Sequence, residues 1–198
     1  MKNLDILINE LTLWSSIGPK QGQRLAIEFI KNKKETLNKL NKLSNLINEI
    51  KLCNICNLFY EGEECSNCKL EEQVLYIIEN FNDYFKIYNY LQNQDLKFFN
   101  LNFNKKSDYL NNIFLNNIIL RLTKLLQDNE NVTKISFFTP PSLESELIIK
   151  VFKKELKKIF NDRKFLFTKI KIGVPKDLSI SYLNIDTIQY IFNNQEEI

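Results

Sequence analysis

The stretch "CNICNLFYEGEECSNC", residues 53 to 68, contains every cysteine of the chain, and no histidine occurs anywhere in it. Two C-x-x-C pairs, Cys53/Cys56 and Cys65/Cys68, stand eight residues apart. Each pair lets one turn of backbone offer two sulfurs to the same ion, and four thiolates complete the tetrahedral shell that Zn²⁺ takes. The lack of histidine removes every mixed Cys/His ligand set and all His-based catalysis. With four protein ligands no coordination position stays open, so the expected metal is one structural zinc per chain. Disulfides or a redox pair are the alternative. A reducing cytosol disfavours the first, and a thioredoxin-like motif needs a single C-x-x-C at a helix start. A segment this short cannot bury a core of its own, and a metal would staple it.

At 198 residues the chain has room for one ordinary domain and a smaller module. Its 44% hydrophobic and 26% charged residues are those of a folding chain. No apolar run approaches the ~18 residues of a membrane span, and Asp5 and Glu10 interrupt the amino-terminal segment where a signal peptide would be apolar. A cytoplasmic protein without membrane contact is expected. The net charge of +3 does not by itself announce a polyanion partner. Asn, Lys and Ile recur throughout, as in the product of an AT-rich genome, so a single Asn or Lys carries little information. The four glycines and four prolines carry more.

Leu4, Leu7, Ile8, Leu11 and Trp14 recur at helical spacing, break at "SSIGPK", and give way to a second helical pattern with Leu25, Phe29 and Ile30. A third follows through Leu37, Leu40, Leu43, Leu46, Ile47 and Ile50. After Cys68 the short β-prone runs 74–78, 96–101, 134–138 and 164–172 alternate with helical patterns near 83–92, 107–127 and 143–160. That alternation predicts an α/β domain with a largely parallel sheet. The expected division is a helical hairpin module over 1–50, a Cys₄ zinc finger over 51–70, an α/β domain over 71–175 and a carboxyl-terminal segment with a helix over 176–198. Ligands of parallel sheets gather at the carboxyl ends of strands. Glu79 and the segment 139–146 fall there.

In "SSIGPKQGQR" the Gly18-Pro19 pair makes a sharp turn, and Pro19 suits the first position of a helix. Backbone N–H groups at that helix start, with Lys20 and Arg24 one turn apart, form a phosphate site. From Pro19 to Lys42 seven cations face two carboxylates, an excess of five positive charges hidden in the total. For the cations from Lys31 to Lys34 a solvated face is the preferred reading. The segment 150–158, five lysines to one glutamate, likewise reads as a helix with a solvated basic face and with Val151, Phe152, Leu156 and Ile159 buried. The aromatics, 12% of the chain, are assigned to the core and not to a base-stacking platform.

A helix-hairpin-helix with "IGPKQGQRLA", then C-x2-C-x8-C-x2-C, then a strand ending in an acid, resembles the bacterial recombination mediator family RecR, whose hairpin typically reads "GIGPKSAQRLA". The resemblance runs over nearly the full length and implies a Toprim-like domain beginning at Val74, with its acid at Glu79. The family's "EGE" segment resembles "ESE" here, giving Glu144 and Glu146, and its "GVP" survives as Gly173, Val174 and Pro175. The glycines and acids that follow "GVP" in the family are replaced by "KDLSISYLN". Residues 90–109 replace the family's glycine-rich middle.

The resemblance implies a DNA-binding recombination mediator in DNA repair, a non-enzymatic homo-oligomer, dimer or tetramer, that clamps single-stranded or gapped DNA and works with RecO and RecF type proteins to load recombinase. Gly18, Lys20 and Arg24 are the expected DNA-binding residues, and Cys53, Cys56, Cys65 and Cys68 the metal ligands. The zinc finger would hold the hairpin module so that its basic face meets DNA. Glu79, Glu144 and Glu146 could bind Mg²⁺, because clustered carboxylates suit a hard cation. Acids in surface loops or at a helix start, where the helix dipole favours them, are the preferred reading. Two alternatives stand beside the mediator: a Mg²⁺-dependent nuclease or primase-type enzyme using those acids, and a reduced homologue kept as a scaffold.

Overall fold

The computed structural model describes residues 1–69, 71–90, 96–103, 108, 111–171 and 178–198. Two compact units divide the chain, Met1–Ile50 and Lys51–Ile198.

The first unit is three helices, α1 (Lys2–Thr12), α2 (Pro19–Lys31) and α3 (Lys33–Glu49), where the apolar spacing predicts them. Ser16, at φ 73°, takes the left-handed position of the turn between α1 and α2. Gly18 has an ordinary extended backbone at φ −77°. The close approach of α1 and α2 falls instead at Gly22, where a Cβ would lie 2.7 Å from Thr12 Cγ2 and 3.3 Å from the Ile8 carbonyl oxygen. Burial is sparse. Gly22 and Ala26 are the buried residues of α2, and α1 and α3 contain none. Leu4, Leu7, Leu25 and Phe29 are half-buried, while the apolar stripe of α3 from Leu37 to Ile47 is 40–68% exposed.

The second unit opens with the antiparallel pair β1 (Lys51–Leu52) and β2 (Phe59–Tyr60). A five-stranded sheet follows: β3 (Val74–Ile78), β4 (Lys97–Asn100), β5 (Lys134–Phe138), β6 (Leu166–Ile170) and β7 (Gln195–Glu197), in the order β4-β3-β5-β6-β7. The first four strands are mutually parallel, and β7 joins antiparallel to β6. Parallel strands are covered on both faces and read as continuous apolar runs, which is why "VLYII" and "KISFF" are visible as strands in the sequence. The helices are α4 (Phe81–Tyr90), α5 (Asn112–Gln127), α6 (Leu143–Ile159) and α7 (Ile185–Asn193). Leu75, Ile77, Phe99, Phe137 and Phe152 are among the fully buried core.

Two expectations change. On α6 the buried residues are Ser145, Ile148, Ile149, Phe152 and Leu156. Val151 and Ile159 are 39% and 42% exposed; Val151 projects off the face centred on Ile149 and Phe152, and Ile159 is the last residue of the helix. Strand β7 has no apolar signature to betray it. Its Gln195 side-chain carbonyl accepts the hydroxyls of Ser136 and Thr168 at 2.9 and 2.8 Å, and Lys169 pairs with Glu196 at 3.2 Å. The "GVP" residues 173–175, and the expected boundary at 175, lie outside the described residues.

Candidate functional site

The β1–β2 ribbon brings the four cysteines together. Their Sγ atoms all lie within 4.8 Å of one another, with Cys53 to Cys68 at 3.5 Å and Cys56 to Cys65 at 3.6 Å. A tetrahedron with Zn–S bonds of ~2.3 Å has S···S edges of about 3.8 Å, so the donor set fits the ion. All four are free cysteines, and these separations are far beyond an S–S bond of about 2.04 Å. Local backbone makes the first knuckle. Asn57 takes φ 57°, Cys53 N–H donates to the Leu58 carbonyl at 2.9 Å, and Ile55 N–H donates to Cys53 Sγ at 3.4 Å. Gly62, at φ 84°, turns the loop toward Cys65.

The thiols hold one another in unequal states. Hydrogen bonding from the Cys68 thiol, helped by the Leu58 backbone, pulls the Cys56 pKa well below the ordinary thiol value. Burial and the neighbouring Cys56 charge push Cys65 up; the bond to Cys56 and then burial push Cys68 up. A bound divalent cation favours the deprotonated thiols, and four sulfur donors suit a soft ion such as Zn²⁺.

Side chains far away in sequence fasten the ribbon to the sheet. Asn67 bonds the Phe98 backbone in both directions, donating to its carbonyl at 2.7 Å and accepting its N–H at 3.0 Å. Asn100 N–H donates to the Cys56 carbonyl at 2.9 Å, and its amide donates to the Asn57 carbonyl at 3.2 Å. Asn129 donates to the Cys68 carbonyl at 3.0 Å. Arg121 reaches the Ile55 carbonyl at 3.5 Å and lies over the Phe99 ring at 5.4 Å. Burial lowers its pKa, while the charges of Cys56 and Cys53 favour its cation. No local pattern reveals these residues, because asparagine recurs throughout the chain and Arg121 sits within an otherwise ordinary helical run. Asn100 inside "KFFN" and Asn129 inside "LQDNEN" leave a hint as polar residues; Asn67 and Arg121 leave none.

At the hairpin, Gly18 is the residue before α2, and a side chain there would meet nothing within 4 Å. Its N–H donates to Gln21 Oε1 at 3.2 Å, and its carbonyl accepts the Gly22 N–H at 2.9 Å. Lys20 and Arg24 are exposed on α2 one turn apart. The helix dipole favours negative charge at such a start, where the Gln21 side-chain oxygen already takes the Gly18 N–H.

The carboxylates divide. Glu79 follows β3 where the strand order switches between β4 and β5, the usual ligand edge of such a sheet. Burial, then the charges of Asp83 and Glu144, push its pKa up to about 7. Glu144 and Glu146 occupy the first turn of α6, whose start is capped by the Ser142 hydroxyl accepting Ser145 N–H at 3.1 Å. Glu146 forms an ion pair with Lys169. Asp83, unforeseen, is fully buried and accepts the Ser179 hydroxyl at 2.6 Å and the Ser181 N–H at 2.9 Å. Among the described residues, the four cysteines are the one group of three or more potential ligands gathered within reach of a single ion. No helix among the described residues is long and apolar enough to cross a membrane.

Fold and site together define an α/β protein with a mostly parallel sheet and a four-cysteine ribbon suited to one structural metal ion. No protein-family model matches the chain. It is 30% identical to the recombination protein RecR of Phytoplasma mali (strain AT) over 217 aligned residues, covering 98% of this chain and 96% of that protein. The chain belongs to the RecR family, as a divergent member.

Proposed function

We propose that this chain is a DNA-binding recombination mediator in DNA repair: a non-enzymatic, oligomeric clamp that helps load recombinase at single-stranded gaps, with partners of the RecO and RecF type. The full-length relation to a RecR recombination protein carries this reading. The residues support it. Lys20, Arg24 and the start of α2 offer charge-assisted and backbone hydrogen bonds to phosphate, which position a nucleic acid without reading its sequence. A Cys₄-bound Zn²⁺ would offset half the charge of the thiolates and lock the ribbon, while Asn67, Asn100 and Asn129 hold the ribbon's backbone on the sheet. The exposed apolar stripe of α3 is surface of the kind that oligomers cover. We assign no catalytic residue.

The test is anisotropy of labelled single-stranded and gapped DNA against zinc-loaded protein across a salt series, with Lys20→Ala/Arg24→Ala alongside. Affinity should fall with salt, and the double variant should bind more weakly, with a slope shallower by about 1.4 on single strands for two lost phosphate contacts. Absence of salt-dependent binding by folded protein would leave the scaffold reading. Metal-dependent nicking abolished by Glu79→Gln would replace the mediator by an enzyme.

A further inference from the structure

Arg121 is a half-buried cation without a carboxylate partner. It sits on α5 with Ile118 three residues before it and Leu125 four after, both 1% exposed. A charged side chain on such a face is rarely kept unless opposite charge meets it. Among the described residues no carboxylate forms an ion pair with Arg121, and the charges that act on it are those of Cys56 and Cys53. The cations of the ribbon's own sequence are engaged elsewhere. Lys51 and Lys69 are exposed; Lys51 donates to the Gly62 carbonyl at 2.7 Å, and Lys69 pairs with Glu64 at 2.5 Å.

The guanidinium is held from two sides. It lies over the Phe99 ring at 5.4 Å, beside Asn100, which fastens the first cysteine knuckle by the Cys56 and Asn57 carbonyls. Its Nη1 reaches the Ile55 carbonyl at 3.5 Å, long for a hydrogen bond. The N–H of the same Ile55 donates to Cys53 Sγ at 3.4 Å. One residue's backbone therefore links the cation to a sulfur.

Four thiolates around one divalent ion leave two negative charges on the centre. In a partly buried site that charge is screened less than in water, so a fixed cation nearby stabilises it. Arginine suits this position because it stays ionised and stacks on an aromatic face. We propose that Arg121 is the counter-charge of the ribbon's zinc centre, raising metal affinity from outside the ligand shell by offsetting the negative charge that the ion leaves on the sulfurs. The proposal rests on the zinc reading given above and adds to it a residue that the cysteine spacing does not reveal.

The experiment is competition for zinc by a chromophoric chelator, on the full zinc-loaded chain, with circular dichroism verifying the fold of each variant. Arg121→Gln keeps an amide donor for the Ile55 carbonyl and removes the charge. It should weaken zinc binding about 10- to 100-fold, the loss typical of outer partners of a metal site. Arg121→Lys restores the charge and should recover most of the affinity. Cobalt-loaded Arg121→Gln should keep the wild-type absorption of a four-sulfur site. Arg121→Met, whose apolar chain suits the half-buried face, stands in if Arg121→Gln misfolds. Unchanged zinc affinity in the neutral variant, with one zinc still bound per chain, would overturn the proposal and leave the zinc reading intact. An equal loss in Arg121→Lys would assign the effect to packing on Phe99, and an altered cobalt spectrum would assign it to a rearranged ligand set; either overturns the role of charge. A wild-type chain that holds no zinc would remove the zinc reading itself.

Discussion

The two units handle their apolar residues in opposite ways. In Lys51–Ile198, strands and helices bury whole Phe, Leu and Ile side chains, and polar groups such as Asn67 and Asn129 bond the backbone across sequence separations of 31 and 61 residues. In Met1–Ile50 the helices are regular, yet their buried residues are Gly22 and Ala26, while the leucines of α3 face outward. Helix formation and core formation are thus separate achievements. The sheet unit has its own core, whereas the helical unit leaves most of its apolar residues at the surface.

The largest effect should come from the metal ribbon. Cys56→Ser should reduce bound zinc from one per chain to none and lower the melting temperature of the sheet unit. The loss would be several kcal/mol, part of the ~10–16 kcal/mol that zinc supplies to isolated fingers. Zinc retained at one per chain by the variant would break the assignment of Cys56 as a ligand. Core truncation sharpens the contrast between units. Phe137→Ala, at a fully buried ring, should cost about 3–5 kcal/mol, whereas Leu43→Ala in dilute, dissociated protein should cost under about 1 kcal/mol. Equal costs in urea titrations would mean that α3 is packed after all.

Gly22→Ala probes the close approach of α1 and α2. The new Cβ gains helix propensity but presses on Thr12, whose hydroxyl is bonded to the Asn9 carbonyl at 2.7 Å. Overpacking should win by about 1–2 kcal/mol, seen as earlier loss of helical circular dichroism. A smaller effect belongs to Glu79, whose pKa is raised to about 7 from 4.5. The folded state therefore holds this proton longer than the unfolded chain, so its stabilisation is complete below pH 4.5 and is lost as pH rises through 7. Glu79→Gln should flatten that fall and leave the zinc-loaded protein about 1 kcal/mol more stable than wild type at pH 8. An unchanged pH profile would mean that Glu79 is solvated like an ordinary carboxylate.

Much of this was legible in the residues. The C-x-x-C spacing announced the ribbon because metal ligation is a local geometric demand, met within sixteen residues. The parallel strands were visible because burial on both faces leaves no room for polar alternation. Strand β7 was not, since Gln195 and Glu196 join the sheet through partners on β5 and β6 that no local pattern reveals. Glu79, Glu144 and Glu146 group together by their positions after strands, and the charge of Glu144 does help raise the Glu79 pKa, but Glu146 pairs with Lys169 instead.

By itself, the sequence determined what depends on neighbours along the chain: the helices and the buried parallel strands, the turn before Pro19, and the four-sulfur ligand set. Periodicity shows that a helix has an apolar face, but the chemistry that covers the face comes from elsewhere. Only the tertiary structure decided that Asn67, Asn100 and Asn129 fasten the ribbon, that Phe59 and Phe85 meet at the surface, and that α3 stays exposed. Those outcomes turn on contacts between residues tens of positions apart, whose strength is set by distance in space and by exclusion of water.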